Sequence, residues 1–176
     1  VKVVLHNTPK ERQIGALHQG RILVAFDRYL PEFPNIVSEV VCREPLWVVL
    51  NRDNPLSSLS RVGLDDLRNE PLIDELDQSV FIACRKLFKH HSFEPIVVQK
   101  AADLIAAAIM VSGCFGTALV PESILNLQLP NVVFRPLVTE VECMIDLNCA
   151  YRKDEESPLL NDLLACVHAY QHTQRQ

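Results

Sequence analysis

Short apolar runs rich in Val, Ile and Leu alternate along this chain with segments of helical period, and that alternation leaves few folds open. "VKVVLH" (1–6) ends at "NTPKERQIGALHQG". There Thr8 precedes Pro9, with Glu11 three places on. This pattern predicts a helix with Thr8 as N-cap in a capping box, Pro9 at the first helical position and Gly20 past the end. Ile14 and Leu17 fall on one face of that helix. "RILVAF" (21–26) follows without polar alternation, the pattern of a strand covered on both faces. Strand, helix, strand is a βαβ unit, so the expectation is an α/β protein with mostly parallel sheets flanked by helices.

The rest of the chain continues the pattern. "IVSEVVC" and "PLWVVLN" read as two extended runs broken at Arg43-Glu44-Pro45, because proline disfavours helix before it. "GLDDLRN" predicts a short helix and "PLIDEL" a strand. "DQSVFIACRKLFKHHS" predicts an amphipathic helix capped by Asp77 or Ser79. "EPIVVQ" is a strand, and "AADLIAAAIMVSG" is a helix apolar enough to be largely buried. "GTALVPES", "VVFRPLV" and "CMIDLNCAY" read as strands. "SPLLNDLLACVHAYQHT" closes the chain as a helix with Ser157 as cap and Pro158 at its first position.

Composition then narrows the function. With 176 residues, 48% of them hydrophobic, the chain can bury a real core in one domain or two small lobes. A net charge of -5 argues against a nucleic-acid surface on this chain. The six cysteines are scattered through apolar runs with no repeated spacing, which fits free thiols in a reducing cytoplasm. No apolar run is long enough for a membrane helix, so no membrane partner is expected. "KHHSF" (89–93) reads as the polar end of a helix, and neither a metal nor another cofactor is expected.

Catalytic patterns are thin. The sequence has no nucleophile elbow, no glycine-rich phosphate loop and no zinc-protease helix. Asp65-Asp66, Asp74-Glu75 and Asp154-Glu155-Glu156 read as turns and helix starts, His168 as a packing histidine, and Cys114 as a turn residue. Ligand binding has better support, since small molecules lie beyond the carboxyl ends of strands in open α/β sheets. Three such places are Asn7-Thr8-Pro9, Asp27-Arg28 and Asp77-Gln78-Ser79-Val80. Helix N-termini and an arginine suit an anion. Arg28 has an alternative reading as the structural partner of Asp27 or another acid.

"LHQGRILVAFDR", then "NIVSEVVCREPLWVVLNRDNPLS", then "GTALVPES", then a final apolar helix resemble, in order and spacing, the effector-binding domain of LysR-type transcriptional regulators. The ending at Arg28 and the Pro9-Lys10 turn are most similar to the branch controlling benzoate, catechol and chlorocatechol catabolism. The resemblance implies a two-lobed, type II periplasmic-binding-protein-like fold. Residues 1–43 with 140–176 would form lobe I and 44–139 lobe II, with the usual first strand and helix lacking and "VKVVLHN" matching the second strand. It places the effector in an interlobe cleft, at Thr8, Pro9, Arg28, Gln78, Ser79, Val80, Ala102 and Asp103. The expected partners are a small anionic, aromatic-derived effector and further copies of the chain. DNA would be met only through a winged helix-turn-helix outside this chain. Two departures bear on the ligand: "LDQSVF" stands where that branch has a proline-rich turn, and Cys114 where the family has glycine. A solute-binding protein of a transport system, or an enzyme on the same scaffold, are the alternative functions.

Overall fold

The computed structural model describes residues 2–76, 79–140 and 143–174. Its chain divides into two units, Val1–Cys42 with Asp146–Gln176, and Arg43–Ile145. In chain order the elements are α1 (Lys10–His18), β1 (Ala25–Asp27), β2 (Ile36–Asn51), β3 (Val62–Gly63), β4 (Pro71–Glu75), α2 (Ser79–His90), β5 (Ile96–Ala101), α3 (Leu104–Ser112), β6 (Thr117–Pro121), β7 (Val132–Val138), β8 (Met144–Arg152) and α4 (Pro158–Gln174). The architecture is α/β, as the alternation dictates.

The unit of residues 43–145 is built on β4, which pairs in parallel with β5 and with β6. The later half of β2 runs antiparallel to both β6 and β7, and β3 joins β7 in parallel. Each central strand sends alternate side chains to opposite faces. Leu46, Val48, Leu50, Leu72 and Leu119 pack with Val80, Cys84, Leu87 and Phe88 of α2. Val49, Ile73, Ala118 and Val120 pack with Ala107, Ala108 and Val111 of α3. Helices on both faces explain why these strands are apolar without alternation. The other unit pairs β1 antiparallel with β8, Ala25 opposite Ala150 and Asp27 opposite Asn148. Ile14 and Leu17 of α1 pack with Ala25 and Ala150, while Val167 of α4 packs with Val41 and Cys149.

Several expectations are corrected. The sheets are mixed, not mostly parallel, because β2 and β8 run antiparallel to their neighbours. "VKVVLH" forms no regular structure in residues 2–6, and Val3, Val4 and Leu5 are exposed. β-Propensity alone makes no strand, and among the described residues none pairs with it. Thr8 is not the N-cap of α1: Pro9 is, with no side-chain cap. Of "RILVAF" only Ala25 and Phe26 enter a strand, since Arg21 and Ile22 donate back to the Ala16 carbonyl at the end of α1. The two runs around Arg43-Glu44-Pro45 form one strand. The ladders to β6 and β7 start at Leu46 and Trp47, so the missing N–H of Pro45 interrupts neither. Helix α3 is not buried all round; Ile105 and Ile109 are about half exposed.

The carboxyl ends of α1, α2 and α3 follow one device. After α1, Gly20 donates to the Leu17 carbonyl and Arg21 to that of Ala16. After α2, Ser92 donates to Lys89 and Phe93 to Phe88; after α3, Cys114 donates to Val111 and Phe115 to Met110. These are Schellman closures, each needing a left-handed residue: Gly20 at φ 66°, Ser92 at φ 47°, Cys114 at φ 64°. The Phe93 ring packs back on Phe88, 5.1 Å between centroids, completing the closure of α2.

Candidate functional site

The unit of residues 1–42 and 146–174 brings the start of α1 to the carboxyl end of β1. The Thr8 carbonyl accepts from Gln13 Nε2 at 2.7 Å, and the Pro9 carbonyl accepts from the Arg12 and Gln13 amides. Both residues are therefore fixed as the entry of α1, Thr8 half-buried and Pro9 exposed. Lys10, the first residue of α1, reaches Asp27 at 3.6 Å, with both side chains largely buried. Its ammonium also stands 5.1 Å from the centre of the Tyr29 ring, and the Tyr29 amide donates to Asp27 Oδ1 at 3.1 Å. Arg28 is half-buried at the end of β1, between these two anchors in the chain. Lys10 is the residue that sequence reasoning left out of the site. Its signal in the sequence is the Pro9-Lys10 turn. A recess in this unit is lined by Leu30, Pro31, Glu32, Phe33, Ile36 and Ser38, none of them a candidate.

In the unit of residues 43–145, β4 and β5 end side by side, Glu75 in register with Ala101. The residues that follow them, Ser79 and Val80 at the start of α2 and Ala102 and Asp103 before α3, lie beyond the carboxyl ends of adjacent parallel strands. Gln78 and Asp77 lie outside the described residues. Asp103 caps α3, its Oδ1 accepting from the Ala106 amide at 2.8 Å. Ala102 is exposed.

The N-terminus of α2 already has an anion. Glu75, 7% exposed, accepts at Oε1 from the Ser79 hydroxyl and from the Val80 amide, the latter at 3.3 Å. Of the two expected caps, Asp77 lies outside the described residues, and Ser79 is already the first residue of α2 and donates its hydroxyl to Glu75. Beside it, the Glu75 amide donates to Asp74 Oδ1 at 2.9 Å. Burial pushes the Asp74 carboxyl up to about 6, against the pull of that amide and of Lys100.

His90, His91 and Glu140 form a group whose ligand atoms lie within 4.8 Å of one another. The Arg68 guanidinium donates to the carbonyls of His91 and Ser92, a fixed positive charge against the same turn that works against a dication. No helix among the described residues is long and apolar enough to cross a membrane.

The family model described as the LysR substrate binding domain matches residues 1–171. The HTH-type transcriptional regulator ClcR of Pseudomonas putida is 31% identical over 165 residues, covering 92% of this chain and 56% of that protein. The crystal structure of CbnR, a LysR family transcriptional regulator, superposes with a TM-score of 0.84 at 24% identity, over 96% of this chain and 59% of that one. At that identity the likeness establishes the fold. The BenM effector binding domain with its effector benzoate superposes with a TM-score of 0.75 at 25% identity, over 95% of this chain and 78% of that one. The chain spans about half the length of the curated relatives it matches, and those relatives are transcriptional regulators. Matched by the family model along almost all of its length, this chain belongs to the LysR substrate binding domain family.

Proposed function

We propose that this chain is the effector-sensing part of a LysR-type transcriptional regulator and that its effector is a small carboxylate derived from an aromatic compound. The observation that carries the reading is the family match along residues 1–171, in a family where one solved relative is described with benzoate as its effector. The sites add to it. One unit has Thr8, Pro9, Lys10 and Arg28 at a strand end, Lys10 being paired there with Asp27, and the other has Ser79, Val80, Ala102 and Asp103 at the ends of β4 and β5. A carboxylate is recognised by Arg and by helix N-H groups. Gln78 belongs to the same proposed set.

The effector biases an equilibrium between conformations by binding one of them more tightly, and that bias is the signal. Recognition of DNA and assembly with further copies belong to the longer regulator, which acts in the cytoplasm. The chain binds its effector without turnover.

A chimera tests this. Residues 1–171 replace the matched region of ClcR, and transcription from a ClcR-controlled promoter is read with and without aromatic-derived carboxylates. Transcription that responds to one of them is the expected result. A chimera that binds the promoter and responds to none, or that consumes the compound, overturns the reading.

A further inference from the structure

Cys84 and Cys143 are 59 positions apart in sequence, yet their sulfurs stand 3.0 Å apart. Cys84 lies on the inner face of α2 and is 0% exposed. Cys143 is half-buried, packs against the same core and sits one residue before β8. Both belong to the unit of residues 43–145. A disulfide needs its sulfurs at about 2.05 Å, so about 1 Å of closure separates this pair from a bond.

The two thiols are unequal. The hydrogen bond from Cys84 favours the thiolate of Cys143 and holds its pKa below that of an ordinary cysteine. The same bond and burial drive Cys84 up and keep it a thiol. The more accessible member is thus the nucleophile, and the buried member waits beside it as a thiol.

We propose that Cys84 and Cys143 form a dithiol oxidised by hydroperoxides, Cys143 attacking the peroxide and Cys84 resolving the product into an intrachain disulfide. In the first step the Cys143 thiolate attacks one oxygen of hydrogen peroxide and the O–O bond breaks. This gives a sulfenic acid on Cys143 and hydroxide. In the second step the Cys84 sulfur attacks the Cys143 sulfur, and the sulfenic oxygen leaves as water with the Cys84 proton. The peroxide takes up two electrons and the sulfur pair loses two. A dithiol such as dithiothreitol reverses the bond by exchange. The product fastens the inner face of α2 to the chain entering β8.

The test is peptide mapping of the reduced chain after exposure to hydrogen peroxide, with remaining thiols alkylated under denaturing conditions. The expected product is a peptide pair joined through Cys84 and Cys143, lighter by two hydrogens than the two thiol peptides and lost on treatment with dithiothreitol. Cys84→Ala should leave Cys143 as a sulfenic acid that dimedone traps. Should that variant not fold, Cys143→Ser serves instead and should leave Cys84 fully alkylated after peroxide. A wild-type chain in which exposed Cys114 or Cys166 is oxidised while Cys84 stays fully alkylated overturns the proposal. So does a Cys143 that proceeds to sulfinic acid beside a free Cys84.

Discussion

Glu75 holds the N-terminus of the helix that Ser79 opens, its Oε1 accepting from the Ser79 hydroxyl and the Val80 amide. One N-H at the positive end of α2, that of Val80, is therefore already met by the side chain of the preceding strand. An effector carboxylate aimed at the Val80 amide meets that occupant, and Glu75 sets how much an anion gains there.

Replacing Glu75 by Gln keeps a carbonyl acceptor for Val80 and removes the charge. The variant should bind carboxylate ligands more tightly, by up to about tenfold or 1.4 kcal/mol. It should lose about 1 kcal/mol of stability with the charge-assisted bonds. Calorimetric titration and urea midpoints check the two effects. Unchanged affinity would mean that no effector carboxylate reaches the start of α2.

Asp74 gives the fold a pH dependence. Its carboxyl is raised from an ordinary 3.8 to about 6, chiefly by burial, so the folded state holds a proton that the unfolded state has released. The stability this contributes is full below pH 3.8 and is lost as pH rises through about 6. Asp74→Asn stays neutral and keeps Oδ1 as acceptor for the Glu75 amide. It should stabilise the chain at pH 7.5 by about 1 kcal/mol and flatten the fall in urea midpoint between pH 4 and 7. A slope equal to wild type would contradict this.

Glu39 acts in the opposite sense. Bonds from His168 and Tyr151 hold its carboxyl below the usual 4.5. Its contribution is present above pH 4.5 and is lost as pH falls through the lowered value. In His168→Gln the Glu39 carboxyl should titrate at higher pH by carbon-detected NMR. No movement would show that His168 has no hold on it.

Ser92 and Cys114 occupy left-handed positions where glycine carries no steric penalty. Ser92→Gly and Cys114→Gly should each stabilise by about 0.5 kcal/mol, the relief of backbone strain being partly offset by glycine's entropy. Thermal midpoints of the two variants check it.

The same positions explain what the sequence concealed. Gly20 announced the end of α1 because its residue type matches its backbone, whereas Ser92 and Cys114 perform the same closure with side chains that give no such signal. Residues 71–75 and 117–121 were legible as strands because helices cover both their faces and require unbroken apolar runs. "VKVVLH" has equal β-propensity, yet pairing is a nonlocal property that no residue in it encodes. Of the candidate residues, Ser79 and Val80 are legible as the start of a helix, whereas the Glu75 carboxyl group that meets the Ser79 hydroxyl and the Val80 amide is not, because it lies on another element. Lys10 is not legible for the same reason: its partner Asp27 is 17 positions along the chain, and only the packing of α1 on β1 joins them.

The most direct test of effector sensing is a calorimetric titration of this chain with benzoate and related aromatic and unsaturated carboxylates, with recovery of the ligand afterwards. One of these ligands should bind saturably at one site and be recovered unchanged. At 100 times its dissociation constant it should stabilise the fold by about 2.7 kcal/mol. Arg28→Ala should remove that binding. Absence of binding by every carboxylate at millimolar concentration, or conversion of the ligand, would contradict the assignment.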